Sequence, residues 1–263
     1  MLRERDPHVT EFPDVSLLVT HYNRSESLER LLKSFKDTGT VFGGIVVSDD
    51  ASKPEHLRRL EELRETYGYR LITTPVNRNL GNNLNKGQDA VTTPYTLYVQ
   101  EDFTPTAAFS KTFPVACDIL KERADLDIVR MYAGARYPYT KPYKNGFSEM
   151  VFKLAKPGSA KFFYYSDTPH LRRSSFFAKF GRYAEGIKAI KTEKCMVMSF
   201  LQAGGRAVVS DENLFSHENL AFEPSTQDYS AFFRIKQKIP DPIFDLVWTA
   251  KLTAQYLVKP YRH

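Results

Sequence analysis

Short apolar runs alternate with polar or amphipathic stretches through the first 105 residues of the chain. Each run is rich in β-branched or aromatic residues and is followed by turn-forming or acidic residues, as is typical of buried strands. The runs are residues 15–20, 45–48, 71–73 and 95–99. Strands that are apolar almost throughout are buried on both faces, and helical stretches separate these four. The pattern therefore predicts an α/β fold with a mostly parallel sheet that is flanked by helices.

The stretches between these strands carry helix signals. Ser25 is a candidate N-cap for a helix whose apolar residues recur at helical spacing, and Pro54 begins a charged helix. Residues 77–90 predict a polar loop and a helix. Residues 1–14 are polar, contain two prolines and predict a loose N-terminal arm. The glycines within residues 39–44 predict a break before the second strand.

The end of the chain predicts a linker and a helix. Residues 223–242 have the composition of a linker, and residues 243–258 carry an apolar stripe that Phe244, Trp248 and Tyr256 widen. The stripe comprises Ile243, Leu246, Val247, Ala250, Ala254 and Leu257. A helix of this kind packs on its own domain, pairs with a second copy or lies in a membrane interface, and the pattern leaves all three open.

The composition is that of a soluble globular protein. The chain has 263 residues, of which 42% are hydrophobic and 26% are charged. Its two cysteines, Cys117 and Cys195, are too few for a disulfide framework, and Cys117 falls in an apolar helical pattern that predicts a core thiol. No apolar run reaches transmembrane length, and the first residues lack a signal-peptide core, so we expect a cytoplasmic protein.

Positive charge is concentrated in one segment. The net charge is +6, and residues 136–194 hold 13 Lys or Arg against 4 Asp or Glu, together with 13 Phe or Tyr. Basic and aromatic residues at this density suit an anionic glycan, a lipid-linked diphosphate at a membrane surface, or single-stranded nucleic acid. The other interpretation is that the aromatic residues belong to the core and the lysines form a solvated face. Nucleic acid is the least favoured of the partners.

Paired carboxylates follow two of the predicted strands. Asp49 and Asp50 end the second strand, and Glu101 and Asp102 end the fourth. In open α/β sheets ligands bind outside the carboxyl ends of the strands. The first strand is not followed by a Gly-x-Gly-x-x-Gly fingerprint, and a phosphate-binding Gly-x-x-x-x-Gly-Lys loop is also missing. These carboxylates therefore predict the ligand site, and the alternative is that they face solvent.

Four motifs, in this order, resemble family 2 glycosyltransferases of the GT-A fold. They are residues 15–24, residues 45–52 with an Asp-Asp-x-Ser ending, the Asn- and Gly-rich residues 79–87, and Gln100-Glu101-Asp102. In the second half, Thr192-Glu193 with the glycines that follow is similar to the acidic catalytic motif of the family.

The resemblance implies that the chain divides into three parts. They are the arm at residues 1–14, a GT-A domain at residues 15–222, and a linker with a C-terminal amphipathic helix at residues 223–263. Within the GT-A domain, residues 15–105 would be the nucleotide-sugar-binding half and residues 106–222 the acceptor-binding half.

Family members transfer a sugar from a nucleotide-diphosphate donor to an acceptor hydroxyl with inversion. The resemblance implies nucleotide-binding roles for Thr20, Tyr22, Asp50, Asn79 and Glu101 and a metal-binding role for Asp102, with Mn²⁺ or Mg²⁺ as the cofactor. A carboxylate only accepts hydrogen bonds, so an aspartate on the nucleobase suits uracil, thymine or guanine, and a UDP-sugar is the favoured donor. Phe103 departs from the pattern if the last acidic position of the family falls there.

Two further roles come from the second half. GT-A enzymes often take a late histidine as a metal ligand, which implies His217, and the alternative is a surface histidine. Thr192 is a candidate N-cap that would place Glu193 in the first turn of a helix, where the dipole favours an ionised carboxylate. The resemblance implies Glu193 as the catalytic base, and Glu185 competes for that role.

Together these features predict a hexosyltransferase-like, metal-assisted glycosyltransferase that acts on a glycan or lipid-linked anionic acceptor. Contact with the inner face of the cell membrane stays open. Two other classes stay open as well: a nucleotidyltransferase on a related sheet, and a non-catalytic polyanion-binding protein on a degenerate transferase fold.

Overall fold

A computed structural model describes residues 9–218 and 241–258 of the chain. This part contains eleven strands and seven α-helices. The strands are β1 (Thr10–His21), β2 (Thr40–Asp49), β3 (Arg70–Ile72), β4 (Tyr95–Gln100), β5 (Phe103–Pro105), β6 (Ile128–Arg130), β7 (Thr140–Lys144), β8 (Phe147–Met150), β9 (His170–Arg173), β10 (Ala207–Ser210) and β11 (Phe215–His217). The helices are α1 (Ser25–Asp37), α2 (Pro54–Tyr67), α3 (Asn79–Asp89), α4 (Phe109–Glu122), α5 (Phe176–Phe180), α6 (Ala189–Gln202) and α7 (Asp241–Val258).

Nine of these strands form one sheet in the order β3-β2-β1-β4-β9-β6-β10-β8-β7. All run in one direction except β9 and β8, which pair antiparallel with their neighbours. β5 and β11 form a separate two-stranded sheet. The predicted α/β fold with a mostly parallel sheet, flanking helices and a C-terminal helical extension is confirmed.

The central strands are buried on both faces, which explains their continuous apolar runs. In β1, Leu17 and Val19 pack in one core with α1, α2 and α4, whereas Leu18 points into a second core. In β4, Val99 and Tyr98 divide between the two cores in the same way. Side chains alternate across a strand, so a strand between two helical layers needs apolar residues at every position.

The first two strands begin earlier than the sequence pattern predicted. β1 includes five residues of the predicted arm, because residues 10–12 pair in register with residues 40–42 of β2. Pro13 hides this extension, since proline cannot donate a ladder hydrogen bond, and the register shifts between Phe12 and Ser16. The predicted break is found at Gly39, in the turn before β2, but not at Gly43 and Gly44. Gly43 lies within β2, and a Cβ there would be 2.0 Å from the Pro13 carbonyl oxygen.

Most aromatic residues of the basic segment belong to the core. Eight are buried in the second half of the sheet, namely Tyr137, Phe147, Phe162, Tyr164, Tyr165, Phe176, Phe180 and Tyr183. Two of the cations, Lys161 and Arg172, are themselves buried. Others pair with carboxylates, as Lys179 does with Asp127 at 2.8 Å. The core interpretation therefore accounts for most of the aromatic residues, and the exposed lysines remain as the charged surface.

Helix α7 packs on its own domain, but through the side opposite to the predicted stripe. Trp248, Leu252 and Tyr256 face the second core, and Asp245 accepts a hydrogen bond of 3.0 Å from the backbone N–H of Ser159. The predicted stripe is exposed instead. Within the described residues, helices of sufficient length and apolarity to cross a membrane are lacking. Residues 223–240 of the predicted linker lie outside the described residues, as do residues 1–8 of the predicted arm, and the last two linker residues begin α7.

Candidate active site

A cavity of about 320 Å³ opens at the carboxyl ends of β1, β2 and β4. The first turns of α3 and α6 close its sides. Six of the predicted site residues line it, namely Thr20, Tyr22, Asp50, Asn79, Glu101 and Asp102. They meet because β1 lies between β2 and β4, and parallel strands end at the same edge of a sheet. His217 and Glu193 lie outside the set of cavity-lining residues.

The loops after β1 and β2 are fixed to each other by a buried histidine and aspartate. The backbone N–H of Arg24 donates to His21 Nε2 at 3.2 Å, so the ring proton is on Nδ1, 2.8 Å from Asp49 Oδ1. Ser52 also donates its backbone N–H to Asp49 at 3.0 Å. Burial would raise the pKa of Asp49, but these hydrogen bonds outweigh it and lower the pKa. Asp49 is therefore structural, and it positions its neighbour.

Asp50 is the acid of this pair that lines the cavity. It is buried, and its Oδ1 accepts the backbone N–H of Arg78 at 2.8 Å. Burial raises the pKa of Asp50, although this hydrogen bond and the charge of Lys86 oppose the shift. A carboxylate in such a place is suited to accept hydrogen bonds from a ligand.

The Asn- and Gly-rich motif is explained by close packing of α3 against the sheet. A Cβ on Gly87 would lie 2.7 Å from a methyl carbon of Leu18, and one on Gly81 would lie 2.2 Å from the Ala184 carbonyl oxygen. Asn83 donates its side-chain amide to the His21 carbonyl at 3.2 Å and accepts from Ser48 Oγ at 2.7 Å. These contacts hold the first turn of α3, with Asn79, at the wall of the cavity.

Asp102 is held by two cationic or basic groups at one of its oxygens. Arg24 Nη1 donates to Asp102 Oδ2 at 2.5 Å, and His217 Nε2 lies 3.2 Å from the same oxygen. Glu101 Oε1 is 3.7 Å from Arg24 Nη1. Burial would raise the pKa of Asp102, but the hydrogen bond with His217 and the charge of Arg24 lower it, so the carboxylate stays ionised.

The second oxygen of Asp102 is the one that could take a ligand. Oδ1 is buried and has no hydrogen-bond partner within the described residues. Across residues 9–218 and 241–258, no three His, Cys, Asp or Glu side chains converge to hold a metal ion. Hard cations on phosphate substrates need only one or two carboxylates, because phosphates and water complete the shell. Asp102 therefore fits such an ion, with His217 as the nearest further donor.

Phe103 belongs to the support of the site. It is buried in the first core, and its ring centre is 4.8 Å from that of His217 and 4.9 Å from that of Tyr132. β11 pairs with β5 so that His217 is opposite Phe103. The apolar ring thus helps to hold β11, which brings His217 to Asp102.

Glu193 lies one turn deeper in α6 than the sequence predicted. The helix begins at Ala189 because the Lys188 carbonyl accepts the backbone N–H of Thr192 at 3.1 Å. The hydroxyl of Thr192 does not cap the helix, since it donates to the Ala184 carbonyl at 2.9 Å. The predicted N-cap is therefore wrong. Lys188 and the first helical residues line the cavity instead.

The two competing glutamates have different surroundings. Glu185 accepts from the side-chain amides of Asn82 and Asn85 at 2.8 and 2.9 Å, and it ties α3 to the chain before α6. Glu193 Oε1 accepts from Ser166 Oγ at 2.9 Å and from the backbone N–H of Asp167 at 3.1 Å. Burial and the charge of Glu193 raise the pKa of Asp167 well above its ordinary value.

Arg24 and Lys188 are the charged cavity residues that sequence reasoning missed. Arg24 stands 78 residues from Asp102 in the chain, so no local pattern connects them. Lys188 could have been found from the correct start of α6, because a residue at an N-cap faces whatever the helix end faces.

The sheet order, the acidic strand ends and the cavity at the edge of the sheet define an α/β fold with a site at the carboxyl ends of its strands, and comparisons with solved structures find the same fold. The structure of S. aureus TarS residues 1–349 in complex with UDP-GlcNAc has a TM-score of 0.59 and 17% identity, covering 93% of this chain and 71% of that one. The same TarS fragment in complex with UDP has a TM-score of 0.58 and 17% identity, covering 93% and 70%. The Pyrobaculum calidifontis mannosyltransferase PcManGT in complex with GDP-Man and Mn²⁺ has a TM-score of 0.54 and 14% identity, covering 97% and 74%.

These likenesses show the GT-A fold, and a sequence comparison shows the family. The model of glycosyl transferase family 2 matches residues 16–177. The match covers more than half of the 263 residues, so this chain belongs to glycosyl transferase family 2 and is a glycosyltransferase. Curated protein sequences gave no match.

The raised pKa of Asp50 predicts that this residue costs stability. In the ionised form its burial is unfavourable, so Asp50→Asn should melt at a higher temperature than the wild type at pH 7. A carboxyl whose pKa is raised by folding destabilises the folded state when it is ionised and not when it is protonated. The difference in melting temperature between Asp50→Asn and the wild type should therefore shrink as the pH falls. It should disappear below the unfolded pKa of about 4, which thermal denaturation over a pH series measures.

Asp125→Asn is the matched control, with the opposite sign. Its hydrogen bond with Arg123 lowers the pKa of Asp125, so the substitution should lower the melting temperature at pH 7. A lower melting temperature for Asp50→Asn at pH 7 would contradict this account of Asp50.

Proposed function

We propose that this protein transfers a sugar from a nucleotide-diphosphate donor to an acceptor hydroxyl with inversion at the anomeric carbon. The observation that carries the proposal is the cavity at the ends of β1, β2 and β4. It combines a buried acid for a base edge, Asp50, with an ionised acid for a cation, Asp102. The relatives of known structure that bind UDP-GlcNAc, UDP or GDP-Man support this choice of ligand.

The nucleoside would bind at the β1 and β2 side of the cavity. Asp50 accepts N–H groups, so it selects a base whose edge donates, such as uracil or guanine. Thr20, whose hydroxyl lies 3.0 Å from that of Tyr98, and Tyr22 border this region. Asn79 and Glu101 also line the cavity, and Glu101 would contact the ribose. A UDP-sugar is the donor we favour.

The diphosphate would lie between Arg24 and the start of α6. The first N–H groups of an α-helix and its dipole favour an anion, and Lys188 adds a positive charge at that end. On the other side, Asp102 would hold Mn²⁺ or Mg²⁺ through Oδ1, with His217 as a second donor. When bound, the ion neutralises the charge that develops on the leaving nucleoside diphosphate.

Glu193 would act as the general base. Its carboxylate takes the proton of the acceptor hydroxyl, the acceptor oxygen bonds to the anomeric carbon, and the bond from that carbon to the diphosphate oxygen breaks with its electron pair. Ser166 and the Asp167 backbone hold one carboxylate oxygen and so orient the group. Glu185 is less suited, because the side chains of Asn82, Asn85 and Arg78 occupy its carboxylate.

The acceptor would be a glycan or a lipid-linked anionic molecule at the inner face of the cell membrane. Exposed lysines beside α6, including Lys188 and Lys191, are consistent with an anionic acceptor.

Nucleotide release from a panel of sugar nucleotides with Mn²⁺ tests the reaction. We expect release of a nucleoside diphosphate from at least one donor, most of all from a UDP-sugar. A nucleotidyltransferase would exchange pyrophosphate with the nucleotide instead. Polyanion binding without any release would show a non-catalytic protein.

The metal assignment predicts that Asp102→Asn loses metal-dependent binding of the nucleotide. The residue ends a strand and the amide keeps its shape, so the fold should persist, but Mn²⁺-dependent binding of UDP should be abolished. Calorimetry with and without Mn²⁺ measures this. Glu212→Gln removes one charge from an exposed position before β11 and should bind like the wild type. Unchanged affinity in Asp102→Asn would refute the assignment.

The base assignment predicts a large effect in Glu193→Gln. Turnover should fall by about 10²–10⁴-fold with donor affinity unchanged, because the amide cannot take a proton. Asp167→Asn is the control: Glu193 bonds to the backbone N–H of Asp167, which the substitution retains, so the variant should keep most of the turnover. If Glu193→Gln kept most of its turnover, the base would have to be Glu185 or another residue.

A further inference from the structure

Helix α7 leaves an apolar surface uncovered. Its inner side is fixed by Trp248 and Leu252 in the second core and by the hydrogen bond from Gln202 to the Tyr256 carbonyl at 2.7 Å. On the opposite side, five large aliphatic residues are between 54 and 75% exposed. They are Ile243, Leu246, Val247, Leu257 and Val258, and we call them the outward face of α7.

This concentration is unusual within the part of the chain that the structure describes. Ten large hydrophobic residues are exposed there, and half of them form the outward face of α7. Single exposed residues, such as Val41 and Val76, are normal on any protein surface. A contiguous apolar stripe on one helix marks an interaction surface.

Cations lie near α7, both on the helix itself and on the elements against which it packs. Lys194 of α6 and Lys251 have their Nζ atoms 5.2 and 4.9 Å from the Trp248 ring centre. Lys153 and Lys156 are exposed on the loop before residues 159–162, the turn against which α7 packs. Of the acids in α7, Asp245 is bound to Ser159, which leaves Asp241 at the first turn.

The sequence on either side of α7 adds further positive charge. Residues 231–240 contain Arg234, Lys236 and Lys238 and no acid, and Lys259 and Arg262 follow the helix. An apolar helix face that cations precede and follow in the sequence matches a surface that is apolar inside and anionic outside, which is the interface of an anionic bilayer. A second copy of the chain would bring like charges together around the stripe instead.

We propose that the outward face of α7 docks on an anionic phospholipid bilayer, with the helix parallel to the surface. The aliphatic side chains enter the boundary between headgroups and acyl chains, and cations near the helix contact lipid phosphates. The docking does not depend on the proposed function.

Sedimentation with vesicles tests the docking. The full chain should bind vesicles of phosphatidylcholine with phosphatidylglycerol, and more weakly as salt rises, because exposed charges are screened. The combined variant Leu246→Ser, Val247→Ser and Leu257→Ser should lose about tenfold or more in vesicle affinity. Val76→Ser, an exposed aliphatic residue elsewhere, should leave it unchanged. Failure of the wild type to bind at low salt, or equal binding by the combined variant, overturns the proposal.

Cysteine labelling separates the bilayer from other occupants. In a Cys195→Ser background, Leu246→Cys should react with a soluble maleimide in the absence of lipid and be protected by phosphatidylglycerol vesicles. If the introduced cysteine were protected from the maleimide without vesicles, residues 219–240 or a second copy would cover the outward face of α7. This result would overturn the proposal. Asp102→Asn should bind vesicles like the wild type, so loss of catalysis and loss of docking are distinguishable.

Discussion

The pairing of β1 with both of its neighbours sets the position of every group in the site. Thr20 is opposite Ser48 on one side and Gln100 on the other, so the loops after β1, β2 and β4 leave the sheet at the same level. A shift of one residue would turn Leu18 into the wrong core and separate His21 from Asp49. The burial of both faces of the sheet therefore fixes the register, and the register brings the acids together.

The buried acids of the site destabilise the fold, and the hydrogen bonds and charges around them reduce this effect. Asp49 and Asp102 are buried acids whose pKa values are lowered, the first by His21 and Ser52 and the second by His217 and Arg24. Asp50 has weaker compensation, and its pKa is raised. A buried charge without full compensation destabilises a fold, and it persists where a ligand supplies the missing interaction. The difference between neighbouring aspartates thus separates the one that builds the loop from the one that is available to a ligand.

The sequence predicted those parts of the fold whose causes are local. Each central strand is apolar on both faces, so its run of residues was visible, and the acids at the strand ends followed from it. The first five residues of β1 were missed because Pro13 and polar residues interrupt the pattern. The contact of Arg24 with Asp102 was missed because strand order, which local spacing does not contain, creates it. The start of α6 was placed too late because the hydroxyl of Thr192 bonds to Ala184 and not to its own helix.

Helix α7 shows why periodicity identifies a face but not its orientation. Its aliphatic stripe is the more continuous one, yet Trp248 and Tyr256 face the domain. Aromatic side chains bury more area each, and polar groups on the same side gain partners, as Asp245 does at Ser159. Packing the aliphatic side inward would have left these rings and Asp245 without those contacts. The domain therefore takes the aromatic side, and the aliphatic side is left exposed.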